Sequence, residues 1–437
     1  MPHRSVVPLL QHTAPDGGAA SLAQQLDRRV RPGTLVEPLA AGAVRCFACG
    51  HRCLVKPGRR GICKVRFNRD GTLYVPAGYV AALQCDPTEK KPFFHCLPGS
   101  DTLTFGMLGC DFHCGYCQNW LTSQALRDEA AGVQPTDLSP EELVRLARNQ
   151  GARMVGSSYN EPLITAEWAM AIFREARAAG LRTGFVSNGN ATPEVLDFLR
   201  PHIIAYKVDL KSFDDRHYRS LGGMLANITD TIRMIHERGI WLEIVTLVIP
   251  GFNDSESELR EMARFLASVS RDIPWHVTAF HKDYRMTDPE ATSPRTLMRA
   301  AEIGAEEGLR FIYAGNLPGK VGAWENTRCP GCGASASAQL FSAAFRNKAP
   351  AGTASSAAAQ PEAAHNHKMN PRSQSPLQLV SRARLMTGQP FHFYDRQGEK
   401  DFGSCFTKNW QQARSQCGET RDPRGFTRGR PARGVQR

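Results

Sequence analysis

The feature that most constrains the fold is an alternation. Short apolar runs occur at 103–109, 153–158, 183–187, 205–210, 241–249 and 275–280, and a seventh follows at 310–314. Helix-like segments lie between them, at 140–150, 164–179, 193–199, 227–238, 255–268 and 296–308. The apolar runs are too short for helices and too continuous for half-exposed strands, which suits strands buried on both faces. Several helical segments carry start signals. Ser139-Pro140-Glu141-Glu142 reads as an N-cap, a proline at the first helical position and acids in the first turn, and Thr192-Pro193-Glu194 repeats it. Strand–helix alternation on this scale predicts an α/β domain with a parallel sheet. A barrel and an open doubly wound sheet both satisfy it, and both place function at the C-terminal ends of the strands.

Charge marks where that domain ends. The 437-residue chain carries a net charge of +12, which on its own suggests nucleic acid or an anionic surface as partner. From residue 333 onward there are 16 Lys+Arg against 6 Asp+Glu, and before it 38 against 36. The body is therefore nearly neutral and the basicity belongs to the last quarter, where Ala, Ser, Pro, Gly and Arg dominate without period. We expect a loosely ordered leader over 1–44, a Cys-rich metal-binding segment over 45–100, the barrel or sheet over 101–320, a short knuckle over 321–333 and a largely disordered basic tail over 334–437. Hydrophobic residues make up 41% of the chain, and no run approaches the roughly 18 apolar residues of a membrane helix. Residues 1–40 lack a signal-peptide pattern, so the expected location is the cytoplasm, with thiols reduced. The 13 cysteines fall in short clusters, which makes them metal-ligand candidates rather than a disulfide framework.

The central cluster is Cys110-Asp-Phe-His-Cys114-Gly-Tyr-Cys117, directly after the first predicted strand. Three thiolates at this spacing can hold three irons of a four-iron cubane and leave the fourth iron open to a ligand. A structural zinc loop would need a fourth ligand, for which His113 and Cys96 are the nearest candidates.

The Cys-x3-Cys-x2-Cys spacing, with Tyr116 before the last cysteine, resembles the radical S-adenosylmethionine (SAM) signature. More narrowly, the run from Gly109 to Trp120 resembles the radical SAM enzyme of the AmmeMemoRadiSam system, a group related to pyruvate formate-lyase activating enzymes. Other segments agree in order: Asp86-Pro-Thr-Glu89-Lys90-Lys91-Pro92-Phe-Phe-His95, Tyr159-Asn160-Glu161-Pro162, Val186-Ser187-Asn188-Gly189, Val208-Asp209-Leu210-Lys211 and Pro250-Gly251-Phe-Asn253-Asp254. The resemblance spans about 45–333. It implies a partial β/α barrel of about six strands with a [4Fe-4S] cluster on Cys110, Cys114 and Cys117 and SAM at the C-terminal mouth. It also implies an oxidoreductase-like reaction in which SAM is cleaved reductively and a 5′-deoxyadenosyl radical abstracts hydrogen from a protein or small molecule. The implied electron donor is flavodoxin or ferredoxin, and Memo-like proteins are candidate partners.

The same resemblance assigns roles at the strand tips. Tyr116 is expected against the adenine, with a packed core aromatic as the alternative. Asn160 and Glu161 stand where many relatives carry Gly-Gly-Glu, which meets the SAM amino group; Glu161 alternatively serves as a helix N-terminal acid before Pro162. Ser187 and Asn188 look like carboxylate or ribose contacts. Asp209 and Lys211 bind the SAM carboxylate or form a structural ion pair. His281 is a candidate for substrate, and Lys90 and Lys91 either bind an acidic substrate group or are solvated.

Two further cysteine sets stand outside the barrel. Cys46, Cys49, Cys53 and Cys63 place four thiols within eighteen residues, with His51 a fifth candidate. They suit a closed zinc site or an auxiliary iron–sulfur cluster, and zinc is favoured because four ligands in so small a loop need no open position. Cys329 and Cys332 form half of a zinc ribbon, but only Cys405 and Cys417 remain beyond them. Two other function classes stay open: activation of a glycyl-radical enzyme, although the usual ferredoxin-like insert after the first motif is missing, and a zinc- and nucleic-acid-binding protein, which the basic tail would serve.

Overall fold

The computed structural model describes residues 20–328 and the backbone of the short strand Ser335–Ser337. The expectations for Cys329, Cys332 and the basic tail lie outside the described residues.

The seven apolar runs form seven strands of one eight-stranded sheet whose order follows the sequence. Its strands are β1 (Ala82–Pro87), β2 (Asp101–Gly106), β3 (Met154–Ser157), β4 (Arg182–Ser187), β5 (Ala205–Asp209), β6 (Trp241–Val248), β7 (Trp275–Ala279) and β8 (Ile312–Gly315). From β2 to β8 every neighbouring pair is parallel. A doubly wound sheet reverses its order at a switch point; this one never does, which decides for the barrel. The edges β1 and β8 are not hydrogen-bonded to each other, so the barrel is partial.

The crossovers are α1 (Pro140–Asn149), α2 (Ala166–Ala178), α3 (Pro193–Leu199), α4 (Asp215–Leu221), α5 (Leu225–Glu237), α6 (Glu256–Val269) and α7 (Pro294–Glu306). The predicted start of α1 is a complete capping box: Ser139 Oγ accepts from the Glu142 amide at 3.2 Å, and the Glu142 carboxylate accepts from the Ser139 amide at 2.9 Å. Thr192 caps α3 by one bond only, its Oγ1 accepting from the Val195 amide at 3.2 Å.

Strand β1 was not anticipated. It pairs antiparallel with β2, from Ala82 opposite Gly106 to Pro87 opposite Asp101, so the expected boundary at 100/101 cuts through the sheet. Its residues are only partly buried, and an edge strand of that kind carries no apolar run. The expected leader also differs. From residue 20 it holds a helix, Leu22–Arg28, and strands Val30–Pro32 and Val36–Pro38. These join Phe67–Arg69 and Thr72–Pro76, and Val44–Cys46 and Leu54–Val55, in two small antiparallel sheets.

That N-terminal lobe sits on the mouth side of the barrel. Arg66 and Glu167, both buried, make a bidentate pair with both contacts at 2.7 Å. The Gly50 amide donates to the Asn190 carbonyl at 2.8 Å, Thr192 Oγ1 donates to the Phe47 carbonyl at 2.6 Å, and Arg52 grips Glu194. At the opposite end the β1–β2 loop closes the barrel. Its Phe93, Cys96 and Leu97 pack on Met154, Ile204 and Ala205, the first residues of β3 and β5 and the residue preceding β5.

Candidate active site

The three thiols lie on the loop that leaves β2 at the mouth. Gly109 opens it at φ +94, and a side chain there would meet Val65 at 2.8 Å, so this turn accepts only glycine. The Phe112 amide donates to Cys110 Sγ at 3.3 Å, and Ser123 Oγ lies 3.2 Å from Cys117 Sγ. All three cysteines are free. Burial pushes each thiol up, and for Cys110 the neighbouring Asp111 and Glu161 add to it; Lys211 acts the other way on Cys114 and Cys117. The donor set is chemically that of an iron–sulfur cluster: three free cysteines on one loop, with the Phe112 amide at Cys110 Sγ and the Ser123 hydroxyl beside Cys117 Sγ.

The strand tips converge on the same loop. Asn160 follows Tyr159, which adopts a left-handed φ of 67 beside Gly106, where a side chain would strike Ser158 O and Tyr159 Cβ at 2.7 Å. This strained corner lets Asn160 Oδ1 accept from the Met107 amide at 2.9 Å. Glu161 caps the next turn by accepting from Leu163 N at 3.1 Å, and it also accepts from Ser187 Oγ and Asn188 N, both at 2.7 Å. The helix-start reading of Glu161 is therefore present in the structure, and the same carboxylate ties the β3 tip to the β4 tip. Burial, and then Asp111, pushes its carboxyl well above the usual range.

Asp209 pairs with Lys207 and, at 3.5 Å, with Lys211, so the ion-pair reading of Asp209 and Lys211 is present in the structure. Asn253 fastens the β5 and β6 tips by donating to the Lys211 and Leu247 carbonyls, both at 2.8 Å. Tyr116 is buried edge-on against Phe252, 5.9 Å between centroids. His281 reaches the cysteine loop through Gln118, 3.0 Å away. Lys90 and Lys91 both pair with Asp86, at 2.9 and 3.2 Å; Lys90 is exposed and Lys91 is buried.

Sequence reasoning missed Asp111 and Asn190. Asp111, fully buried between the first two thiols, accepts from Asn188 Nδ2 at 2.7 Å and Asn190 Nδ2 at 2.8 Å. An acid directly beside a predicted cluster cysteine was the available signal. Cys46 lies close enough to Cys49, Cys53 and Cys63 for their charges to interact. Among the described residues no three His, Cys, Asp or Glu side chains gather to hold a single ion, either here or on the loop of Cys110, Cys114 and Cys117. The zinc expectation therefore gains no support.

The Radical SAM superfamily model matches residues 105–266, which run from β2 through the thiol loop to α6. An uncharacterized protein of Methanocaldococcus jannaschii is 35% identical over 307 residues, 70% of this chain and 90% of that protein. The chain belongs to the radical SAM superfamily. Members of this family characteristically bind SAM and an iron–sulfur cluster. The isethionate sulfite-lyase activating enzyme of Oleidesulfovibrio alaskensis is 30% identical over 206 residues, covering 44% of this chain and 64% of that enzyme. The chain thus spans just under two thirds of the length of that relative. The pyruvate formate-lyase-activating enzyme of Clostridium pasteurianum is 24% identical over 212 residues, covering 44% and 85%. A solved radical SAM methyltransferase from Sphaerobacter thermophilus overlays with a TM-score of 0.40 at 16% identity, covering 67% of this chain and 78% of the other. Among the described residues no helix is long and apolar enough to cross a membrane.

Proposed function

We propose that this chain is a cytoplasmic radical SAM enzyme of the AmmeMemoRadiSam type, acting on a protein or small-molecule substrate, with Memo-like proteins as candidate partners. The observation that supports the proposal is the placement of Cys110, Cys114 and Cys117 on the loop after β2, where Asp111 and Glu161 hydrogen-bond the tip of β4. Those three cysteines would hold a [4Fe-4S] cluster. Such a cluster, with SAM bound, would supply reductive SAM-cleavage chemistry at this mouth. The chain's own residues place the reactants and exclude water. Lys211 offers a cation to the SAM carboxylate from the tip of β5. Asn160, Glu161, Ser187 and Asn188 form the polar rim that meets the amino group and ribose, and Tyr116 supplies an apolar face for the adenine. A flavodoxin- or ferredoxin-like carrier is the proposed source of the electron.

Glycyl-radical-enzyme activation is the second reading, and the two activating-enzyme relatives favour it. Between Cys117 and α1 there is room only for the helix Trp120–Ser123 and the strand Thr136–Asp137, so that version would work without a ferredoxin-like insert at this place.

The deciding experiment is anaerobic reconstitution with iron and sulfide, reduction with dithionite and addition of SAM. 5′-Deoxyadenosine is expected from the wild type, with a loss of at least about a hundredfold in Cys110→Ala, Cys114→Ala and Cys117→Ala, as for removal of groups that hold the reacting centre. A fully loaded wild type that forms none would sink the reading.

A further inference from the structure

Strand register fixes which residues line the inside of the barrel. Gln84, Thr104, Gly156, Gly184 and Ala205 stand opposite one another in turn from β1 to β5. Side chains alternate along a strand, so Asp86, Lys207 and Asp209 share that face. The other face carries Phe105 and Phe185, which pack on Phe173 of α2, so this one faces the lumen. Two charged groups on it have the same composition. Asp209 pairs with Lys207 and Lys211, and Asp86 pairs with Lys90 and Lys91. None of the four lysines makes another ion pair among the described residues. Each group therefore sets two cations against one carboxylate and keeps one positive charge unbalanced. In the reading above Lys211 meets the SAM carboxylate, which balances the first group. Nothing in that reading balances the second.

The second group is placed to receive an anion. Lys91 is only 8% exposed, and a buried cation is costly unless an anion accompanies it. Its Nζ lies 3.4 Å from the Tyr159 hydroxyl. Tyr159 lies over the same face, since a side chain on Gly106 would strike its Cβ at 2.7 Å. The Tyr159 carbonyl accepts from Thr122 Oγ1 at 2.9 Å, and the Thr122 carbonyl accepts from the Gly109 amide at 2.9 Å. The phenol is thus tied to the loop of the three cysteines and reaches back to Lys91. Beside it on β2, Thr104 Oγ1 is buried with no hydrogen-bond partner among the described residues. The face also has room: Gly156 and Gly184 place no side chain there, and Val186, Leu247 and Thr278, on the same face by register, are partly exposed within otherwise buried stretches of strand.

We infer that Lys91 and Tyr159 anchor the carboxylate of a small organic acid, the substrate of the reaction at this mouth. The inference rests on the reading of the mouth as the SAM and cluster site. Charge selects the class. One unbalanced cation matches a monoanionic carboxylate, whereas a phosphate dianion would leave a buried negative charge beside Asp86. Lys91 and the Tyr159 hydroxyl supply two donors to the carboxylate oxygens. Lys90 sets the charge of the group without touching the ligand. The anchor positions the acid and takes no part in bond breaking.

The test measures binding of hexanoate, hexanamide and inorganic phosphate to the reconstituted, SAM-loaded full chain by anaerobic calorimetry at constant ionic strength. Hexanoate should bind at least about tenfold more tightly than hexanamide, because only the acid makes charge-assisted bonds. Lys91→Met should weaken hexanoate by at least about tenfold, and Tyr159→Phe, which keeps every ion pair, by about threefold to tenfold. Lys90→Met, which removes the unbalanced charge and leaves the two donors, should also weaken hexanoate. Asp86→Asn should act in the opposite sense, tightening hexanoate and admitting phosphate. Equal binding of acid and amide would overturn the anchor, and so would hexanoate affinity that Lys91→Met leaves unchanged. If Lys91→Met loses iron or SAM binding, Tyr159→Phe and Lys90→Met decide, and unchanged affinity in both would overturn the anchor equally. A wild type that forms 5′-deoxyadenosine with dithionite but binds no hexanoate would overturn the anchor alone. A loaded wild type that forms none would strike instead at the proposed function.

Discussion

At the residue scale, Asp111 shows how the mouth is organised. It stands between two of the thiols with its oxygens committed to the side-chain amides of Asn188 and Asn190, and His51 Nε2 lies 3.9 Å from Oδ2. Asn190 Oδ1 in turn accepts from Asn227. The carboxylate therefore links the cysteine loop, the β4 tip and the start of α5. Asp111→Ala would leave two buried amide donors without acceptors, at about 1–3 kcal/mol for each. We expect urea unfolding of the metal-free chain to show a loss of about 2–4 kcal/mol, with little change in the slope against urea. A loss under about 0.5 kcal/mol would mean the amides find other partners. The strand-tip asparagine was legible in sequence because it ends an apolar run. Asp111 was not, since its partners lie 77 and 79 residues away and a spacing motif treats the residues between its cysteines as filler.

At the element scale, the N-terminal lobe is joined to the barrel through a buried ion pair. Arg66 gives both terminal nitrogens to Glu167 at the start of α2, and one of them also donates to the Ile164 carbonyl at 3.1 Å. The Arg66 guanidinium holds the Glu167 carboxyl below its usual range despite burial, which acts against it. Removing one partner strands the other charge, at a cost of about 3–5 kcal/mol, whereas replacing both with apolar residues of similar volume is often nearly neutral. Arg66→Met and Glu167→Leu should each lower the thermal midpoint and open the lobe to proteolysis, and the double variant should recover most of the loss. A double variant as unstable as the sum of the singles would show that the pair's geometry, not its charge balance, holds the lobe. The parallel strands and helix caps were legible because period and capping residues are local signals. The lobe was not. Its strands are two to five residues long, too short for a periodic pattern, and they exist because they pair with one another and rest on the barrel.

At the scale of the whole molecule, the two ends of the barrel differ in kind. The mouth is polar and built from strand tips, while the base is filled by the β1–β2 loop. There Glu243 of β6 accepts from the Phe94 and His95 amides at 2.9 and 3.0 Å, from Trp241 Nε1 at 2.9 Å, and faces His276 Nε2 at 2.8 Å. His95 Nε2 lies 2.5 Å from the Tyr313 hydroxyl of β8, and its ring meets Trp241 and Phe311. The Phe-Phe-His run after Lys91 is thus a plug that spans the sheet's far strands. Burial lowers His95 to about 4; Glu243 and Asp272 act upward and His276 downward. The folded pKa therefore lies below the roughly 6.5 of an unfolded histidine. Between about pH 6.5 and about 4 the unfolded chain binds a proton that the folded chain refuses, so stability falls as the pH falls through that window, by up to about 3 kcal/mol. The Glu243 carboxyl, held low chiefly by its hydrogen bond from His276 against the cost of burial, adds its own loss only below the roughly 4.3 of a free glutamate. His95→Gln keeps a donor near Tyr313 and removes the titration. Its unfolding free energy should start lower at pH 7 and then decline less steeply than the wild type's from pH 6.5 to 4.5. Parallel curves would mean that another group dominates the acid response and that the plug holds the barrel base without sensing pH.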